Sequence, residues 1–106
     1  SSVKTEAVGN ANTASLRAVP NPFSTTTAIT YRLQNAGRIN LLIFDLLGRP
    51  VRRLAAGPTE AGTHSIRWNG TDDAGEEVPA GHYLCRIETD TPAGERSIGT
   101  AIIQHL

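Results

Sequence analysis

Between residues 25 and 33 the chain alternates, with Ile29, Tyr31 and Leu33 on one side and Thr30 and Arg32 on the other. A period of two marks a strand with one face in a core and one in water. The next stretch is more apolar: Ile39, Leu41 and Ile43 alternate with Asn40, Leu42 and Phe44. A strand apolar on both faces at its centre belongs in the middle of a sheet. Further on, His64, Ile66 and Trp68 alternate with Ser65 and Arg67, then Tyr83, Cys85 and Ile87 with His82, Leu84, Arg86 and Glu88. Short apolar pieces at 16–19 and 51–54 and a last strand at 96–104, with Gly99 as a candidate bulge, complete the set. No window has a helical period. About seven short strands joined by polar turns predict an all-β, antiparallel β-sandwich.

Gly, Pro, Asn and Asp punctuate these strands. Pro20-Asn21-Pro22-Phe23 forms a rigid corner, because two prolines fix φ and hold the preceding residues extended. Phe23 is then free to plug one end of the core. Gln34-Asn35-Ala36-Gly37 turns the chain into the central strand. That strand ends at Asp45, and Leu46-Leu47-Gly48-Arg49 makes a hairpin turn in which Gly48 takes positive φ. Residues 55–62 read as a loop broken by Gly57-Pro58 and Gly62. Residues 69–80 read as a polar hairpin with Asp72-Asp73-Ala74-Gly75 at its tip, and 90–94 as a turn.

The 106 residues suffice for one modest core, and residues 1–15, small, polar and aperiodic, read as a flexible linker to a domain over 16–106. Ten basic and ten acidic residues cancel, and no basic stripe runs along any strand. That argues against a nucleic-acid partner, which needs clustered positive charge. No apolar run approaches the roughly 20 residues of a membrane span. A chain without methionine is expected to be a processed product or an excised module of a larger protein. Its single cysteine, Cys85, permits no internal disulfide, and its place in a strand makes it a small core residue.

Candidate chemistry is sparse. Asp72, Asp73 and Glu76, with Glu77, gather oxygen atoms of the kind that ligate calcium, but without the spacing of an EF-hand loop. A solvated hairpin tip accounts for them without an ion. Glu76 and Glu77, adjacent in the chain, point apart in extended backbone and make a poor acid–base pair. His64, His82 and His105 fall on three separate elements, and the serine-hydrolase and zinc-hydrolase signatures are missing. No cofactor is implied. Asn69-Gly70-Thr71 fits a glycosylation sequon. Trp68, Tyr31 and Tyr83 fall on apolar faces and Phe23 sits at the proline corner. Only Phe44, flanked by apolar residues, remains, so little is left for an aromatic platform for sugar stacking.

Four stretches then read together: Val19-Pro20-Asn21-Pro22-Phe23; Ile43-Phe44-Asp45-Leu46-Leu47-Gly48-Arg49 with Val51; Ala61-Gly62-Thr63-His64 followed by Trp68-Asn69-Gly70-Thr71-Asp72-Asp73-Ala74-Gly75; and Val78-Pro79-Ala80-Gly81-His82-Tyr83. In order and spacing they resemble the FlgD-like Ig-fold module and the closely similar C-terminal sorting domain of type IX secretion. The resemblance covers about 17–103 and implies a monomeric Ig-like sandwich. It gives Pro20, Asn21, Pro22, Phe23, Asp45, Gly48, Arg49, Trp68, Gly75, Gly81 and Tyr83 folding roles, with Arg49 bracing the turn through the Asp45 carboxylate. The expected function is a non-catalytic C-terminal module of a larger secreted bacterial protein, a hydrolase by this reading. It would sort or anchor that protein at the cell surface through outer-membrane secretion and attachment machinery. The alternatives are a carbohydrate-binding or spacer module of a secreted glycoside hydrolase and a flagellar hook-cap-type Ig-like domain. The chain ends Gln104-His105-Leu106, without the terminal basic residue usual in the sorting branch.

Overall fold

The computed structural model describes residues 15–92, 94 and 96–106, so the linker expected at 1–15 lies, except for Ser15, outside the described residues. Seven strands follow one another: β1 (Ser15–Val19), β2 (Thr27–Leu33), β3 (Gly37–Phe44), β4 (Pro50–Thr59), β5 (Gly62–Trp68), β6 (Gly81–Asp90) and β7 (Arg96–His105). They form a three-stranded sheet, β1-β2-β5, and a four-stranded sheet, β4-β3-β6-β7, antiparallel throughout. The chain is an all-β, Ig-like sandwich, with no helix among the described residues and no disulfide.

The alternation in the sequence is the alternation of burial. Ile29, Tyr31 and Leu33 of β2 face Ile39, Leu41 and Ile43 of β3 and Tyr83, Cys85 and Ile87 of β6 across one core. β3 lies between β4 and β6, as its two-sided apolarity predicts. Its outer residues Leu42 and Phe44 are half-buried, and the Arg86 guanidinium lies 4.7 Å from the Phe44 ring centroid. Gly37 opens β3 because a Cβ there would come within 2.4 Å of the Asp90 carbonyl oxygen.

Two expectations are corrected. β4 does not stop at Leu54 but continues to Thr59, pairing Ala55, Gly57 and Thr59 with Leu41, Ile39 and Gly37. Register shifts at Leu41/Leu42 and Ile43/Phe44 break its alternation, and small residues fill its far half. The sequence there looks like a loop although the backbone is laddered. Gly99 makes no bulge: it pairs in register with Ile87, and the irregularities fall between β3 and β4 instead.

Trp68 is fully buried. Its ring centroid is 5.4 Å from that of Phe23 and 5.5 Å from that of Tyr83, the latter at a 74° edge-on angle. Its indole N–H donates to the Thr71 carbonyl at 2.8 Å, so the one polar atom of this side chain is satisfied.

Candidate functional site

The 20–23 corner closes an edge. β7 borders the four-stranded sheet, and its end would leave backbone groups open to a further strand. Asn21 covers them: its Nδ2 donates to the Ile102 carbonyl at 2.7 Å, and its Oδ1 accepts the Gln104 N–H at 2.9 Å. Phe23 continues the pairing, its N–H donating to Gln104 O and its carbonyl accepting from Leu106 N–H at 2.9 Å. The prolyl bonds at Pro20 and Pro22 are both cis. The Phe23 ring is buried and stacks on His105, centroids 4.6 Å apart. The expected core plug is therefore present, and Asn21 adds a role that only its place between two prolines hinted at.

The 45–49 turn is held by its own atoms. Gly48 N–H donates to the Asp45 carbonyl and Asp45 N–H to the Arg49 carbonyl, each at 3.0 Å, with Gly48 at φ 84°. Asp45 Oδ1 accepts the N–H groups of Leu47 and Arg49, each at 2.9 Å, and Oδ2 accepts Arg49 Nε at 2.8 Å. The Arg49 brace expected from the sequence is thus formed. The Arg49 N–H above all, with the Arg49 guanidinium and Leu47 N–H, holds the Asp45 carboxyl below the usual carboxylate range. Leu46 and Leu47, at the tip, are 68% and 78% exposed.

The 69–80 loop is fastened to β4. Asp73 N–H donates to the Val51 carbonyl, and Arg53 N–H donates to Asp73 Oδ1, both at 3.1 Å. Asp72 Oδ1 accepts the N–H groups of Ala74 and Glu76 at 3.0 Å, and Arg52 Nη1 donates to Thr71 Oγ1 at 2.6 Å. Of the calcium candidates, Asp72 and Asp73 each direct Oδ1 at backbone N–H groups, and Glu76 is exposed. Among the described residues no three His, Cys, Asp or Glu side chains gather where they could hold a metal ion. Asn69 Oδ1, in the sequon, accepts the Thr71 hydroxyl at 2.6 Å. Gly75 takes φ 86° at the loop's tip, and the Tyr83 hydroxyl donates to the Pro79 carbonyl at its base.

The histidines do not converge. His64 stacks on Tyr31 and donates from Nε2 to the Glu60 carbonyl at 2.8 Å. His82 lies exposed on the outer side of β6. His105 is buried against Phe23, with Nε2 3.8 Å from Glu77 Oε2 and, among the described residues, no hydrogen-bond partner at Nδ1. Its burial was missed in the sequence, where the signal was its two-residue step from Ile103. Cys85 is buried, and burial pushes its thiol up to about 12, away from nucleophilic chemistry at neutral pH. A shallow polar hollow of about 290 Å³ lies over Arg38, Asn40, Arg53, Glu88 and Asp90 on the four-stranded sheet.

The chain as a whole is similar to known proteins. The FlgD Ig-like domain family matches residues 20–93. The basal-body rod modification protein FlgD of Salmonella typhimurium is 37% identical over 65 residues, covering 60% of this chain and 28% of that protein. The chain thus spans less than a third of the length of that curated relative. Among solved structures, FlgD from Xanthomonas campestris, described for the hook capping essential for flagellar assembly, has 25% identity and a TM-score of 0.62 over 91% of this chain and 73% of its own. Dimeric latent PorU from Porphyromonas gingivalis shares the fold, with a TM-score of 0.68 at 20% identity over 88% of this chain and 9% of its own. From the proline corner to the turn after β6, this chain belongs to the FlgD Ig-like domain family.

Proposed function

We propose that the chain is a non-catalytic, extracellular module of a larger bacterial protein of the hook-capping kind, and that it works by protein–protein contact in an assembly. The observation that carries this reading is the 45–49 turn. Five hydrogen bonds freeze a tip whose two leucines are 68% and 78% exposed. Pre-ordering a segment lowers the entropy lost when a partner covers it. Family membership and the hook-capping role of the Xanthomonas campestris relative support the choice of assembly. The buried thiol and the scattered histidines supply no catalytic constellation. In a Salmonella strain lacking FlgD, a FlgD whose matched segment is exchanged for this chain should restore hook assembly. The same exchange with Leu46→Ser and Leu47→Ser should not, with its melting temperature unchanged. Hooks that form equally well with both variants would sink the reading.

A second reading is a sorting signal or surface anchor for type IX secretion, appended to a secreted hydrolase. The likeness to PorU favours it at the level of fold. Fusing Ser1–Leu106 to an inert reporter in a type IX-competent host should carry the reporter to the surface. Reporter retained in the periplasm would remove this reading. A role in neutral-sugar binding has little support, since Trp68, Tyr31, Tyr83 and Phe23 are all buried and Arg86 covers Phe44.

A further inference from the structure

The outer face of the three-stranded sheet has a composition that no single strand reveals. Its outward positions are Ser15, Arg17 and Val19 on β1, Ala28, Thr30 and Arg32 on β2, and Thr63, Ser65 and Arg67 on β5. The register sets Ser15, Arg32 and Thr63 in one row, Arg17, Thr30 and Ser65 in the next, and Val19, Ala28 and Arg67 in the third. Three arginines and four hydroxyls therefore share a face whose described outward positions include no carboxylate, in a chain of zero net charge. All three arginines are exposed, and none forms an ion pair with a described residue. The outer face of the four-stranded sheet differs, because there Glu88 pairs with Arg86 at 2.7 Å and Asp90 with Arg96 at 3.1 Å.

We propose that this arginine–hydroxyl face of β1, β2 and β5 binds an acidic polysaccharide. Strand spacing and rise place the Arg17 and Arg32 Cα atoms about 8 Å apart, and Arg67 about 12 to 14 Å from both. A chain with carboxylates at repeating intervals can engage all three guanidinium groups, each suited to a bidentate carboxylate. Sugar hydroxyls meet Ser15, Thr30, Thr63 and Ser65 between them. The face offers no aromatic ring on which a nucleic-acid base would stack. Only Val19 and Ala28 are apolar there, too little to anchor a protein partner or to enter a bilayer. Complementary charge is what the surface offers, and repeated weak contacts along a polymer raise the total affinity.

Calorimetric titration of Ser1–Leu106 with polyguluronate oligomers tests this, with dextran, duplex DNA and phosphatidylglycerol vesicles as comparison arms. Binding to polyguluronate alone is expected, weakening with salt at a log–log slope of about −2 for three charge contacts. Arg17→Ser, Arg32→Ser and Arg67→Ser together should weaken it at least tenfold, the three Arg→Lys changes less, and Arg38→Ser with Arg53→Ser, on the opposite sheet, not at all. Unfolding curves establish that each variant is folded, and the single Arg→Ser variants replace any that is not. The proposal is overturned by no binding beyond that to dextran, by tighter binding to DNA or vesicles, or by an equal loss in the opposite-sheet variant.

Discussion

The 20–23 corner and the 45–49 turn are both short reversals braced by side chain-to-backbone hydrogen bonds, yet they aim their apolar residues in opposite directions. The corner sends Phe23 into the core at 1% exposure and lays Asn21 along the edge of β7. The turn bonds almost wholly to itself and leaves Leu46 and Leu47 in water. Rigidity in the first serves the fold, because it ties the segment between β1 and β2 to the last strand. Rigidity in the second does little for the core, and its use lies with whatever covers the leucines. Substitutions should separate the two.

The largest difference is expected at Phe23. Removing a ring that contacts both His105 and Trp68 leaves a cavity, so Phe23→Ala should cost about 3–5 kcal/mol. Leu47→Ala, at the tip of the turn, should stay within about 0.5 kcal/mol of the parent. Urea unfolding of the two variants side by side measures the contrast. Similar losses at both positions would show that the turn is part of the core after all.

Asn21 should rank next. Asn21→Ala deletes two hydrogen bonds without opening a cavity, for a loss of about 1–2 kcal/mol. The effect should be local, with faster amide exchange at Gln104, whose N–H loses its acceptor. Exchange elsewhere in β6 and β7 should change little, because the strand ladder stays intact. Unchanged protection at Gln104 would mean that Phe23 alone closes the edge.

How far the two reversals could be read from the sequence follows from how local their contacts are. Asp45, Gly48 and Arg49 lie within five residues, so the brace was readable from residue types and spacing. Asn21 acts on Ile102 and Gln104, more than eighty residues away, and only the proline-flanked motif pointed to it. Strands with clean alternation, β2, β3 and β6, were legible because each buries one face regularly. The far half of β4 was not, since two register shifts and the small residues Ala55 and Gly57 hide its period. The arginine face was illegible for the same reason as Asn21. Arg17, Arg32 and Arg67 become neighbours only through strand register. The sandwich was thus readable strand by strand, whereas its surfaces depend on pairing that no local pattern encodes.

Acid should distinguish the two reversals by a smaller effect. Asp45 is the charged centre of the turn, and its carboxyl sits below its ordinary range chiefly because the Arg49 N–H bonds to it, with the Arg49 guanidinium and Leu47 N–H adding to this. The unfolded chain therefore takes up the proton at a higher pH than the folded one. Whatever stability the charge contributes is complete above the ordinary carboxylate value, about 3.9, and is lost as pH falls through the folded value beneath it. The Asn21 bonds have no such dependence, because an amide does not titrate in this range. Urea midpoints of the parent and Asp45→Asn, measured from neutral pH down to about pH 3, should differ most at neutral pH and converge in acid. The parent and Asn21→Ala should keep a constant gap over the same range. Curves for Asp45→Asn that stay parallel to the parent would place the strength of the turn in its neutral hydrogen bonds rather than in the Asp45 charge.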